Sequence, residues 1–209
     1  MGIYYFKTGV LQELLAAPGV DFGKEIIPRA IDSHRVQAFP HTGYWEDIGT
    51  IPSFHEASLA MTRPVPPLNL YSPERPIYTN PRFLPGTKVN RCQVEQSILC
   101  EGSILSDSTI EDSIVGIRAI VRTGAKISRS VIMGARFYEG SEPSNHVPAG
   151  IGRDCVIHNA IIDLDARIGD GVKLINEAGV DEADGDGWCI RGGIIVVPRE
   201  GEIAPGTVV

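Results

Sequence analysis

Aliphatic residues return at a six-residue interval through the second half of the chain. In "VGIRAIVRTGAKISRSVIMGARFY", Val115, Val121, Ile127 and Met133 share one hexad position, and Ala119, Ala125, Val131 and Phe137 share another. "IDLDARIGDGVK" repeats the scheme with Ile162, Ile168, Ala166 and Val172. A hexad of aliphatic and small residues broken by Gly predicts a parallel β-helix, in which each face of a three-sided coil takes about six residues. A longer period runs through it: "QSI" at 96–98, "DSI" at 112–114, "RSV" at 129–131 and "NAI" at 159–161, with steps of 16, 17 and 30 residues. The two shorter steps fit one coil with a shortened face. The third fits a coil plus an inserted loop, which "EGSEPSNHVPAG" supplies.

Ahead of residue 87 the periodicity changes. "GIYYF" is a short β-prone run, and "GVLQELLAA" carries apolar residues at helical spacing until "PGVD" stops it. Asp21 is a fitting N-cap for a helix over "FGKEIIPRAI". Thr50 caps a third helix with Pro52 in its first turn, which directs Ile51, Phe54 and Met61 to a core and Glu56 to solvent. Seven prolines between residues 64 and 85 exclude one regular element there. The chain therefore reads as a mixed α/β segment (1–62), an extended linker lying on a surface (63–86) and a β-helix (87–209). The acidic, glycine-rich stretch "NEAGVDEADGDGWCI" reads as a solvated loop. Asp181, Asp184 and Asp186 offer hard oxygens to a calcium ion there, but the EF-hand spacing is missing. "IIVVPREGEIAPGTVV" closes the chain as a last strand pair or cap.

Charge and composition narrow the partners. The 209 residues carry a net charge of −7 and no basic stripe, which argues against a duplex nucleic-acid partner. No apolar run reaches the length of a membrane span, and the N-terminus lacks the layout of a secretory signal or a myristoylation site. Cys92, Cys100, Cys155 and Cys189 form no C-x-x-C pair and read as buried thiols in a reducing cytosol.

"GYWEDIGT" carries the most chemistry. Asp47, just before a turn into a helix, has the placement of a Mg²⁺ ligand, since Mg²⁺ takes one or two carboxylates and fills its shell with water and phosphate. Trp45 presents a flat face that suits a sugar ring. The same residues also suit a helix start and a core filler. Asp21 serves as a cap and could equally accept hydrogen bonds from sugar hydroxyls. His146 and His158 are general-base candidates, because hexapeptide acyltransferases use a histidine at a coil edge.

"MGIYYF", "DFGKEIIP", "GYWEDIGTI", "EASLAMT", "PIYTNPRFLPG", "IIDLDARIG" and "EADGDGWCIRGGIIVV" occur in that order and cover essentially the whole chain. Together they resemble the glucose-1-phosphate adenylyltransferases (ADP-glucose pyrophosphorylases), of the cyanobacterial and plant type. The resemblance implies a mainly β chain: a left-handed parallel β-helix preceded by the end of an α/β nucleotidyltransferase domain. It implies synthesis of ADP-glucose and pyrophosphate from ATP and glucose 1-phosphate, for glycogen or starch, by a Mg²⁺-dependent homo- or hetero-tetramer. Asp47 matches a metal-binding aspartate. Tyr4, Asp21, Phe22 and Trp45 match positions lining the glucose 1-phosphate pocket. The implied location is the cytoplasm, or the plastid for a plant or alga.

The family's glycine-rich nucleotide loop, its first metal-binding aspartate and the lysine that grips the sugar phosphate lie upstream of the first motif. Met1 matches an internal methionine of a family strand. The resemblance thus implies the C-terminal part of a longer enzyme, inactive alone and without a complete catalytic set. Such a part would expose apolar surface around Ile3, Tyr5 and Phe22. Arg82 and Arg199 match positions that hold an anionic allosteric effector. Leu164 stands where activator-responsive members carry a lysine, a lost contact worth about 1.5–3 kcal/mol. The alternatives are a non-catalytic regulatory or scaffolding subunit of the same enzyme, and a hexapeptide acyltransferase using His158.

Overall fold

The structure, a computed structural model, describes residues 2–140 and 146–209. The chain divides into two compact units, residues 1–43 and 44–209.

In the first unit α1 (Thr8–Ala16) ends where Ala17 leaves helical geometry ahead of Pro18. The Asp21 carboxylate accepts a 2.8 Å hydrogen bond from the Lys24 N–H, as its capping role requires. The helix it opens starts as a π turn (Phe22–Ile26) and continues as α2 (Ile27–Ser33). Pro28 explains the widened turn, since a proline cannot donate and its ring crowds the carbonyl four residues back. Leu14, Ile26 and Ala30 are buried together, with Phe6, Val10 and Phe22 against them. "GIYYF" is not a strand, contrary to its β-prone composition. Among the described residues of this unit there is no sheet for it to join, and a lone strand has no partner for its backbone groups.

In the second unit α3 (Ile51–Ala60) begins with the expected Thr50 cap, closed as a capping box with Ser53. No regular element follows until residue 88. Three parallel sheets then wind as stacked coils. The first coil holds β1 (Lys88–Asn90), β2 (Gln93–Glu95) and β3 (Ile98–Leu99). The second holds β4 (Ile104–Ser106), β5 (Thr109–Glu111) and β6 (Ile114–Val115). The third holds β7 (Ile120–Val121), β8 (Lys126–Ser128) and β9 (Val131–Ile132). The fourth holds β10 (Gly150–Ile151), β11 (Val156–His158) and β12 (Ala160–Ile162). The fifth starts with β13 (Arg167–Ile168) and β14 (Lys173–Leu174). A hairpin of β15 (Glu182–Gly185) and β16 (Trp188–Arg191) precedes β17 (Ile194–Val197), and β18 (Glu202–Ile203) closes the stack. No described helix is long and apolar enough to cross a membrane.

The long period is confirmed by strand register: Ile98 pairs with Ile114, Ile114 with Val131, and Val131 with Ile161. The inserted loop falls between β9 and β10, and its residues 141–145 lie outside those described. Three inward ladders fill the prism: Leu105–Val121–Ile151–Ile168–Ile203, Ile110–Ile127–Ile157–Leu174 and Val115–Ile132–Ile162–Val197. Nearly all are fully buried, and Ala119, Ala125, Ala166 and Cys155 occupy the tight corners.

The strict hexad fails after Ile127. Ile132, not Met133, points inward; Val131 faces out and Phe137 is exposed. The cause is the corner between the second and third faces. Its residues Gln96, Asp112, Arg129 and Asn159 all have positive φ, and inward positions across it are five apart (Ile110 to Val115, Ile127 to Ile132, Ile157 to Ile162). Of the cysteines, only Cys155 is fully buried; the other three sit at coil surfaces, half-covered. The stretch 176–190 is not simply a solvated loop: β15 and β16 pair antiparallel across Asp186–Gly187, and Asp184 forms an ion pair with Arg191. Asp-Gly between paired runs is a strong hairpin signal, outweighed in the sequence by the acidic composition.

Sheet three also has an apolar outer face. Val131, Ile161, Ile194 and Leu59 are buried together, with Ile51, Phe54, Ile114, Met133 and Val196 against them. Helix α3 thus covers the outside of β9, β12 and β17. The compact unit beginning at residue 44 includes α3 with the β-helix.

Candidate functional site

In the first unit the Asp21 cap, the π turn and the N-terminal run bring Tyr4, Asp21 and Phe22 together. The Tyr4 and Phe22 rings stack at 5.7 Å between centroids. A methyl group built on Gly23 would lie 3.5 Å from Asp21 Oδ1 and 4.0 Å from the Tyr4 hydroxyl, so a phenol and a carboxylate flank this glycine. Asp21 and Tyr4 are exposed, whereas Phe22 is half-buried against Phe6. The apolar surface expected here is present at Ile3 and Tyr5, which are 79% and 100% exposed. Phe22 does not share in it, because it packs into the small core of α1 and α2.

In the second unit Trp45 is half-exposed, and the whole of residues 41–50 is solvent-accessible. Asp47 Oδ1 accepts a 3.1 Å bond from the Gly49 N–H, which folds the carboxylate back over its own turn. The turn runs directly into the capping box, where Thr50 N–H donates to Ser53 Oγ at 3.1 Å and Ser53 N–H donates to Thr50 Oγ1 at 3.2 Å. Asp47 therefore sits on a short, internally bonded lead into a docked helix.

Mg²⁺ asks for one or two protein carboxylates and takes its other ligands from water and phosphate. Asp47 meets that requirement as a single ligand: it is an exposed carboxylate with one oxygen oriented by the backbone. Among the described residues, no group of three or more His, Cys, Asp or Glu side chains converges on a metal position.

Arg82 is exposed and lines a depression of about 570 Å³ with Tyr78, Phe83, Leu84, Glu101 and Ile117. Arg199 is exposed on the turn after β17. Leu164 lies in the neighbouring coil, its carbonyl accepting from Glu200 N–H at 3.0 Å. Leu164 and Arg199 thus extend the Ile162–Val197 register side by side. Next to them Arg136 bridges Asp165 and Glu200. Partial burial raises the Asp165 pKa, but the backbone and guanidinium bonds from Arg136 outweigh it and hold the carboxyl below its ordinary value. His158 Nδ1 lies 2.8 Å from Ser128 Oγ on an outer face, and His146 Nδ1 lies 3.1 Å from Glu202.

Sequence reasoning missed His55. It lies on the buried face of α3, 2% exposed, and its Nε2 is 2.8 Å from the Arg129 carbonyl. A histidine at the position of a buried helical stripe was the available signal. The contact between Gly192 and Pro52 had no sequence signal.

Comparison with known proteins fits this geometry. Residues 1–63 match the family described as "Nucleotidyl transferase", and residues 82–208 match the "GLGC left-handed parallel beta-helix domain". Over its whole length the chain is 42% identical to the Zea mays protein named "Glucose-1-phosphate adenylyltransferase large subunit 1, chloroplastic/amyloplastic". It spans 43% of the length of that relative.

Proposed function

We propose a function for this chain from one premise: it belongs to the glucose-1-phosphate adenylyltransferase family. It contributes the sugar-phosphate side of the reaction that joins ATP and glucose 1-phosphate into ADP-glucose and pyrophosphate, in glycogen or starch synthesis. The observation that carries this reading is the 42% identity across the entire chain.

Tyr4, Asp21, Phe22 and Trp45 are assigned to glucose 1-phosphate. The aromatic faces suit the apolar face of a sugar ring, and the second Asp21 oxygen suits a sugar hydroxyl. Asp47 is assigned to Mg²⁺, which when bound neutralises charge developing on the transferred phosphoryl group. The contribution of the chain's own residues is then to orient the sugar phosphate and hold it for in-line attack. Arg82 and Arg199 are assigned to an anionic effector, and the β-helix to tetramer assembly. The relative's plastid label favours a plastid or, in a prokaryote, the cytoplasm. The relative is also named a large subunit, which favours a second reading in which this chain is the regulatory subunit of a mixed assembly.

Titration calorimetry of the chain with glucose 1-phosphate tests the first reading, and Trp45→Ala and Asp21→Asn report on the assigned contacts. Saturable binding that both variants weaken is expected. Undetectable binding at millimolar sugar phosphate, with or without a complete homologous subunit, overturns it. ADP-glucose formation that appears only with the homologous subunit, and survives Asp47→Asn, selects the regulatory reading.

A further inference from the structure

We infer that Gly192, in the turn between β16 and β17, is a positioning residue for the Asp47 carboxylate. It does so by seating Pro52 at the start of α3. The inference rests on the assignment of Asp47 to Mg²⁺ only for its consequence, not for its geometry.

Three observations carry it. A methyl group on Gly192 would lie 2.6 Å from Pro52 Cγ, a separation that real side chains do not tolerate. The turn that presents Gly192 is held on several sides. The Gly193 carbonyl accepts from Asn159 Nδ2 at 3.2 Å and from Asn176 Nδ2 at 3.1 Å, and the Gly193 N–H donates to the Asp181 carbonyl at 3.1 Å. Pro52 in turn has little freedom. It lies in the first turn of α3, between the Thr50–Ser53 capping box and Phe54, which packs on the β-helix. Adding bulk at 192 must therefore move Pro52, and with it the Thr50 cap and the Asp47–Gly49 turn.

The pair of adjacent glycines provides an internal control. Gly192 has φ +58° and Gly193 has φ +74°, so a side chain is strained at both. A methyl group on Gly193, however, would meet nothing within 4 Å. Backbone strain is shared, whereas the clash with Pro52 belongs to Gly192 alone. Asparagine tolerates the left-handed region better than other side chains, so it isolates the clash.

The test uses the ¹⁵N-labelled full chain with Mn²⁺ as the probe. Gly192→Asn is expected to move the Gly49 and Thr50 amide resonances and to raise the Mn²⁺ concentration that half-broadens Gly49 by at least about threefold. Gly193→Asn is expected to leave both readouts unchanged. Gly192→Asn combined with Pro52→Ala, which removes the ring atom in conflict, is expected to return the Mn²⁺ midpoint toward that of the parent. Equal Gly49 and Thr50 shifts in the two asparagine variants overturn the positioning role. If the shifts differ as expected but Asp47→Asn leaves the Mn²⁺ midpoint unchanged, the metal assignment falls and the seating of the Asp47 turn by Gly192 is supported.

Discussion

His55 Nε2 donates a 2.8 Å hydrogen bond to the carbonyl oxygen of Arg129, 74 residues further along the chain. Arg129 is the left-handed corner residue between β8 and β9. The bond therefore ties α3 to the corner that shortens the third coil. A buried imidazole that donates to a carbonyl must be the neutral tautomer protonated on Nε2, or the cation.

Burial on the inner face of α3 disfavours the cation and lowers the His55 pKa from 6.5, more than the bond to Arg129 raises it. The folded state then holds fewer protons than the unfolded state below pH 6.5. The stability of the docked helix is full above that pH and declines as pH falls toward the lowered folded value. Urea denaturation at pH 7.5 and pH 5.5 is expected to show this decline, and His55→Gln is expected to flatten it. An equal pH response in parent and variant would assign the decline to other groups.

Leu59 is 6% exposed in the cluster that joins α3 to Val131, Ile161 and Ile194. Leu59→Ala is expected to cost about 2–4 kcal/mol, as a buried leucine truncation does. Hydrogen exchange is expected to rise first at the amides of α3 while those of β8 and β11 stay protected. Uniform acceleration across all coils would mean that α3 and the β-helix unfold as one unit.

Ser130 is fully buried and serves two neighbours. Its hydroxyl donates to the Ser128 carbonyl at 2.7 Å and accepts from Ala160 N–H at 3.2 Å. Ser113 makes the same pair of contacts one coil earlier. Ser130→Ala is expected to destabilise the chain by about 1–3 kcal/mol, measured by chemical denaturation. A change within a few tenths of a kcal/mol would show that the ladder of serines fills space and does little more.

Trp45 is 50% exposed and carries no core packing. Trp45→Ala is expected to leave the melting temperature unchanged and to weaken glucose 1-phosphate by about tenfold, or about 1.4 kcal/mol. Loss of fold with unchanged binding would assign the indole to structure instead.

Leu164 lies beside Arg199 in the adjacent coil, where a lysine would add a second cation to the same edge. Leu164→Lys is expected to lower the half-saturating concentration of a phosphoglycerate activator by about tenfold or more in the assembled enzyme. Identical activation curves would remove Leu164 from the effector site.

The coil period, the insertion after β9, and the Asp21 and Thr50 caps were legible in the sequence because each is a local rule. Spacing along the chain shows which side chains share a face, and a cap needs only three or four residues. The rung that made the long period visible proved to be different in kind. Ile98, Ile114, Val131 and Ile161 form an outer stripe, and α3 packs against Ile114, Val131 and Ile161. Periodicity cannot say which of two apolar faces is the interior, because both repeat with the same step. That choice, like the burial of His55, the antiparallel β15–β16 pair and the seat of Pro52 on Gly192, depends on contacts between segments far apart in sequence. The sequence by itself determined the winding of the chain and the caps that open its helices. Only the tertiary structure decided that the helix following Asp47 is fastened to the β-helix, since that fastening exists only when distant apolar surfaces are brought together and removed from water.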